Sequence, residues 1–131
     1  MSYRMNEFTR IDPADVATMR DAGIENTDDM MRLWADTAKR PALMEKTGID
    51  EAQFTGFVAM SRLARVKNVG PKYVDVLMAA GIDGPKSLFE FEPVALAKRL
   101  GEAKLEKGLT GPVPLLTEIE TWFKQPVVAT V

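Results

Sequence analysis

Gly70-Pro71-Lys72-Tyr73-Val74-Asp75-Val76-Leu77-Met78-Ala79-Ala80-Gly81-Ile82 is the stretch on which the fold of this chain turns. Proline suits the first position of a helix, where its missing N–H would have had no partner and its fixed φ is already helical. Gly70 stands before it as N-cap, and Gly81 closes the helix at a position that favours a left-handed residue. Shifted by 58 residues, the pattern recurs without gaps as Asp12-Pro13-Ala14-Asp15-Val16-Ala17-Thr18-Met19-Arg20-Asp21-Ala22-Gly23-Ile24. Val16 answers Val74, Met19 answers Leu77 and Ala22 answers Ala80; further on, Met30 and Met31 answer Leu88 and Phe89, and Leu33 answers Phe91. Chance supplies a proline and a glycine at one spacing more readily than it supplies the apolar phase between them, so we read an internal duplication.

Working outward, an isoleucine follows each closing glycine, and a second helix starts at Asn26-Thr27 or at Gly84-Pro85. Arg40-Pro41 opens a short helix ending at Gly48, and Asp50 with Gln53 three residues later forms a capping-box pattern that opens a longer helix to about Arg65. Phe54, Phe57, Val58 and Ser61 share one face of it. Pro93 opens a helix expected to stop at Gly101, residues 101–113 read as a glycine- and proline-containing loop, and Pro114 opens the last helix with a stripe of Leu115, Ile119, Trp122 and Phe123. No stretch alternates with the period of a strand. The expected fold is all-α, a tandem repeat of two small units with four to five short helices each: an N-terminal extension over 1–7, a first unit over 8–66, a second over 67–125 and a tail over 126–131. The first seven residues and the tail are expected to fray or to dock late.

With 131 residues, 46% hydrophobic and 27% charged, the chain suits one compact domain. It shows neither the zones of a secretory signal nor an apolar run near the roughly 18 residues that cross a bilayer, which points to a soluble cytoplasmic protein without a membrane partner. Cysteine and histidine are absent, which removes thiolate nucleophiles, imidazole bases and zinc sites built on nitrogen or sulfur. The net charge of −2 is unevenly placed: residues 1–60 carry 7 basic and 11 acidic side chains, and residues 61–131 carry 10 and 8. The basic excess gathers at Arg62, Arg65, Lys67 and Lys72, opposed locally by Asp75. A polyanion would have to bind there.

The run Leu63-Ala64-Arg65-Val66-Lys67-Asn68-Val69-Gly70-Pro71-Lys72-Tyr73-Val74-Asp75-Val76-Leu77 resembles a helix-hairpin-helix motif, in which a helix ends on an apolar residue, a Gly-apolar-Gly hairpin follows and a second helix starts at once. From about residue 8 to 125 the chain is similar to the family described as domain of unknown function 4332, read as tandem helix-hairpin-helix domains. The resemblance implies a fold related to pentahelical and SAM-like domains. It also implies DNA contact through hairpin N–H groups at a helix N-terminus, where unpaired donors and the helix dipole favour an anion, often with a bound monovalent cation and no other cofactor. On that ground the candidate nucleic-acid-binding residues are Arg65, Lys67, Asn68, Gly70 and Lys72. Two departures stand out. Asn68 replaces the first hairpin glycine, and in the first repeat Arg10 and Asp12 replace Asn68 and Gly70. Asparagine tolerates a left-handed backbone, whereas a carboxylate at the helix start takes the N–H groups a phosphate needs.

Plainer uses compete with each of these features. Gly70 serves the turn whatever binds there, and Lys67 and Lys72 are also what an ordinary solvated surface carries. The pairs Asp28-Asp29 and Asp50-Glu51 fall in first helical turns, where the dipole favours acids, which leaves little reason for a catalytic pair. The eight methionines fill a core more often than they line a groove, and Trp34 and Trp122 read as core anchors. Gly81-Ile82-Asp83-Gly84 lacks the strand and third glycine of a nucleotide loop. No catalytic motif or small-molecule substrate is indicated. Two functions remain: weak, sequence-nonspecific DNA binding through the second hairpin, or protein–protein docking through the helical surface.

Overall fold

A computed structural model describes residues 2–124. Among them are eight α-helices: α1 (Pro13–Asp21), α2 (Thr27–Ala35), α3 (Arg40–Thr47), α4 (Glu51–Ala64), α5 (Gly70–Ala79), α6 (Pro85–Leu88), α7 (Pro93–Lys107) and α8 (Leu116–Phe123). Short 3-10 turns cover Met5–Glu7 and Thr37–Lys39. No described residue belongs to a strand; one isolated antiparallel bridge joins Arg4 to Asn26. The fold is all-α, as proline and glycine punctuation requires, and no described helix is long and apolar enough to cross a membrane.

The helix boundaries follow from local chemistry. Side-chain oxygens of Asp12, Asn26 and Asp50 accept the N–H groups of Ala14, Asp29 and Gln53 at 2.8, 2.9 and 2.8 Å, so α1, α2 and α4 each start on a satisfied cap. Helix α1 ends in a Schellman motif: Ile24 N–H reaches Met19 O at 2.9 Å and Gly23 N–H reaches Arg20 O at 3.0 Å. At the positions 58 residues later, Ile82 N–H reaches Leu77 O and Gly81 N–H reaches Met78 O, both at 3.0 Å. In each case the isoleucine and the residue accepting from it are buried, the apolar clasp that accompanies this cap. Helix α6 ends after one turn at Leu88, and Glu92 is extended because the ring of Pro93 pushes the residue before it out of the helical region.

Two expectations fail. Helix α7 runs through Gly101 to Lys107, and Gly108, with φ +61°, is the capping glycine, so the loop spans only 108–115. An interior glycine costs about 1 kcal/mol, while burying leucines returns about 2 kcal/mol each; Leu96, Leu100 and Ala103 all lie on the buried face of α7. Helix α8 starts after Leu115 and not at Pro114, and Leu115 is 68% exposed, which leaves Ile119, Trp122 and the half-buried Phe123 as its inner stripe. Of the two alternatives for the first residues, docking holds: Thr27 N–H donates to Tyr3 O at 2.8 Å, Met5 N–H donates to Glu25 O at 3.0 Å, and Met5 and Phe8 are buried. The tail over 126–131 lies outside the described residues.

One continuous core joins both halves. Helix α2 packs along α4, α4 against α5, and α5 and α8 against α7. In the first half Trp34 stacks on Phe54 at 4.7 Å while the Arg40 guanidinium covers its ring at 4.5 Å; in the second, Tyr73 meets Trp122 at 5.8 Å. Helix α5, central to this packing, carries the hairpin.

Candidate nucleic-acid interface

Helix α4 ends at Ala64, and the chain reverses through Arg65-Val66-Lys67-Asn68-Val69 into α5. Val66 and Val69 are buried and hold the turn to the core. Val66 N–H donates to Leu63 O at 3.1 Å and Val69 N–H to Val66 O at 3.0 Å. Asn68 and Gly70 flank Val69 with φ +72° and +65°, so both glycine positions of the Gly-apolar-Gly pattern are left-handed and asparagine fills the first. A Cβ on Gly70 would lie 3.8 Å from Tyr3 Oη, an ordinary contact. The backbone angle, not lack of space, demands glycine there. Gly70 is already the first helical residue, and the N-cap is Val69, whose side chain accepts nothing.

Arg65, Lys67, Asn68 and Lys72 are exposed and Gly70 is half-buried. Lys67, Asn68, Gly70 and Lys72 share the hairpin tip, with the Lys72 ammonium 4.8 Å above the Tyr73 ring. Arg65 is drawn the other way, donating from Nη1 to Met31 Sδ of α2 at 3.0 Å. The corresponding start of α1 differs, because Asp12 already accepts from Ala14 N–H. Arg10, the counterpart of Asn68, donates to Asp75 O at 3.4 Å and lies 4.0 Å from its carboxylate, to which Thr9 Oγ1 also donates. The acid that opposes the basic cluster in sequence is thereby partly offset by Thr9 and Arg10.

Sequence reasoning missed α8 and Tyr3 as neighbours of the hairpin. Trp122 Nε1–H donates to Asn68 O at 3.1 Å, Asn68 Nδ2 donates to Thr121 Oγ1 at 3.2 Å, and Tyr73 O–H donates to Glu118 Oε2 at 2.6 Å. Leu115 N–H donates to the other Glu118 oxygen at 3.1 Å. These donors hold the Glu118 carboxyl below the ordinary carboxylate range, the Tyr73 hydroxyl first and the Lys72 charge least. Burial, and then the Glu118 carboxylate, push Tyr73 up to about 12. Asn68, Thr117, Glu118 and Thr121 line a shallow open cleft beside the turn. The carbonyls of Val66 and Asn68 already accept hydrogen bonds, which leaves fewer free oxygens for a monovalent cation.

Residues 9–126 match the model of the family described as Domain of unknown function (DUF4332). The chain belongs to this family. No curated protein and no solved structure matches it.

The matched region of this DUF4332 chain takes in α1 to α8 and both left-handed hairpin residues; it leaves out Tyr3 and Met5, which pack on it. One acid of each pair is bonded at a helix start. Asp29 accepts Glu25 N–H at 3.1 Å and Arg32 Nη2 at 3.1 Å, the first of which chiefly lowers its pKa, while Asp50 caps α4. Met5, Met19, Met30 and Met60 are core residues, Met31, Met44 and Met78 are half-buried, and both tryptophans are buried. A second open groove, of about 160 Å³, runs along α1 between Asn6, Ile11, Pro13, Val16, Ala17 and Arg20.

Proposed function

We propose that this DUF4332 chain is a non-catalytic cytoplasmic module of two tandem helix-hairpin-helix units, whose second hairpin holds the phosphate backbone of duplex DNA weakly and without sequence preference. The tandem reading is supported by the matching Schellman caps at Gly23 and Gly81 and by the 58-residue offset of α1 and α5. The DNA reading rests on one contrast: α1 starts on the Asp12 carboxylate, whereas α5 starts without a side-chain cap beneath Lys67 and Lys72. The first N–H groups of a helix lack internal partners and the dipole adds positive potential, so a phosphate is attracted to an uncapped start and repelled by a capped, anionic one.

Contacts of this kind read no base, so the affinity is expected to be independent of sequence. Two neutralised phosphates correspond to a slope of about −2 in log K against log salt, with a Kd no tighter than about micromolar. Fluorescence anisotropy on arbitrary duplexes tests this. Lys67→Glu and Lys72→Glu are expected to weaken binding equally for all sequences and to flatten the slope, while Arg20→Glu on α1 leaves both nearly unchanged. Retention of full affinity by the lysine variants would refute the placement.

Exposed apolar side chains favour a second reading, protein docking. Leu105 is 85% exposed and Val94 68%, eleven residues apart and therefore on one face of α7, while Leu115 and Leu116 are exposed at the start of α8. Among the described residues the methionines and aromatics, being buried or half-buried, do not form that surface. The same titration separates the two readings: complete absence of DNA binding at low salt leaves the docking role in possession, with Leu105→Lys and Leu115→Lys as the variants that probe its face.

A further inference from the structure

Building on the DNA reading, we infer that Glu118 is the affinity-limiting residue of the second hairpin: its fixed carboxylate stands beside Asn68 and Lys72 where an approaching phosphate would lie, so α8 sets how weakly a polyanion is held. Three residues on one face of α8 grip the turn. Thr121 and Trp122 bind the side chain and the carbonyl of Asn68, and Glu118 receives the Tyr73 hydroxyl. The carboxylate has no freedom to swing away, because Tyr73 O–H holds one oxygen at 2.6 Å and Leu115 N–H the other at 3.1 Å. Lys72 leans on the same ring, its ammonium 4.8 Å from the centroid, so the hairpin's cation and α8's anion share one support. The carboxyl is also held in its charged form, since its pKa lies below the usual range. A phosphate binding at the α5 start must therefore meet a like charge in the cleft formed by Asn68, Thr117, Glu118 and Thr121. Nothing of this kind faces the uncapped helix start from Glu120, which lies about 200° further round the same helix.

Glu118→Gln removes the charge and keeps an oxygen for the Tyr73 hydroxyl. Glu120→Gln makes the same change in net charge on the other side of α8. In anisotropy titrations with an arbitrary labelled duplex at low salt, Glu118→Gln is expected to tighten binding about three- to tenfold, the effect of one like charge removed from a surface contact. The salt slope is expected to stay near about −2, because the variant adds no cation and the same two phosphates are neutralised, while Glu120→Gln changes Kd less than twofold. Spectrophotometric titration gives a readout without DNA: in Glu118→Gln, Tyr73 should ionise below its native pKa of about 12. If Glu118→Gln fails to fold, Glu118→Ala gives the same readouts. Equal gains from the two glutamine variants would reduce the effect to net charge and overturn the inference, as would an unchanged Kd for Glu118→Gln. If the native chain binds and only the Glu118 arm is flat, this inference alone falls; if neither the native chain nor the variant binds, the DNA reading falls with it.

Discussion

Replacing Gly70 by valine isolates the backbone requirement of the turn between α4 and α5. Gly70 has φ +65°, and a Cβ there meets only Tyr3 Oη at 3.8 Å, so no steric clash adds to the cost. The left-handed region costs an L-residue about 1–2 kcal/mol, with the upper end appropriate to a β-branched side chain. About 2 kcal/mol corresponds to a fall in Tm of roughly 6–8 °C for a domain of this size. Asp12→Ser, at the matching position of α1, keeps an oxygen for Ala14 N–H and is expected to change stability by no more than about 0.5 kcal/mol. Both Tm values come from thermal melts followed by circular dichroism. Equal melts for Gly70→Val and Asp12→Ser would refute the reasoning, because the two helix starts would then not differ in backbone demand.

Gly56 and Gly101 lie inside α4 and α7, and a Cβ added at either would meet nothing within 4 Å, so Gly56→Ala and Gly101→Ala are each expected to raise stability by about 0.5–1 kcal/mol, read as a higher Tm. Tyr73 has its pKa raised from 10.0 to about 12, so its proton is bound more tightly in the folded state; the stability it adds is full below pH 10 and is lost as pH rises towards 12, which denaturant melts across that range would detect. Glu118 and Asp29 have lowered values, so what they contribute is present above the ordinary carboxylate range and is lost as pH falls through their depressed pKa values; Glu118→Gln should lessen the acid-side decline.

Local chemistry made the helices legible in the sequence. A proline at the first helical position, an Asp or Asn cap and a closing glycine act within a few residues, and they placed the starts of α1, α2 and α4 and the ends of α1 and α5. Gly101 misled because its local cost is outweighed by burial of Leu96 and Leu100, which depends on α5 and α8 and has no local trace. The turn between α4 and α5 was legible for the same local reasons, down to the left-handed Asn68. Its neighbours were not. Glu118 meets Tyr73 across 45 residues and Trp122 meets Asn68 across 54, separations at which helical periodicity gives only which face of α8 is buried and not what it faces. Tyr3 and Met5 were overlooked because a terminal run too short for a helix has no periodic signal, although the β-bridge to Asn26 and the buried Met5 tie it down.

Backbone amide chemical shifts during titration with an arbitrary DNA duplex at low salt would test the central claim most directly. Binding at the second hairpin predicts the largest changes at the amides of Lys67, Asn68, Gly70, Lys72 and Tyr73, reversed by added salt. The amides of Ala14 and Asp15 should stay in place, because Asp12 closes the start of α1. Equal changes at the start of α1, or changes confined to the exposed face of α7 around Val94 and Leu105, would contradict it.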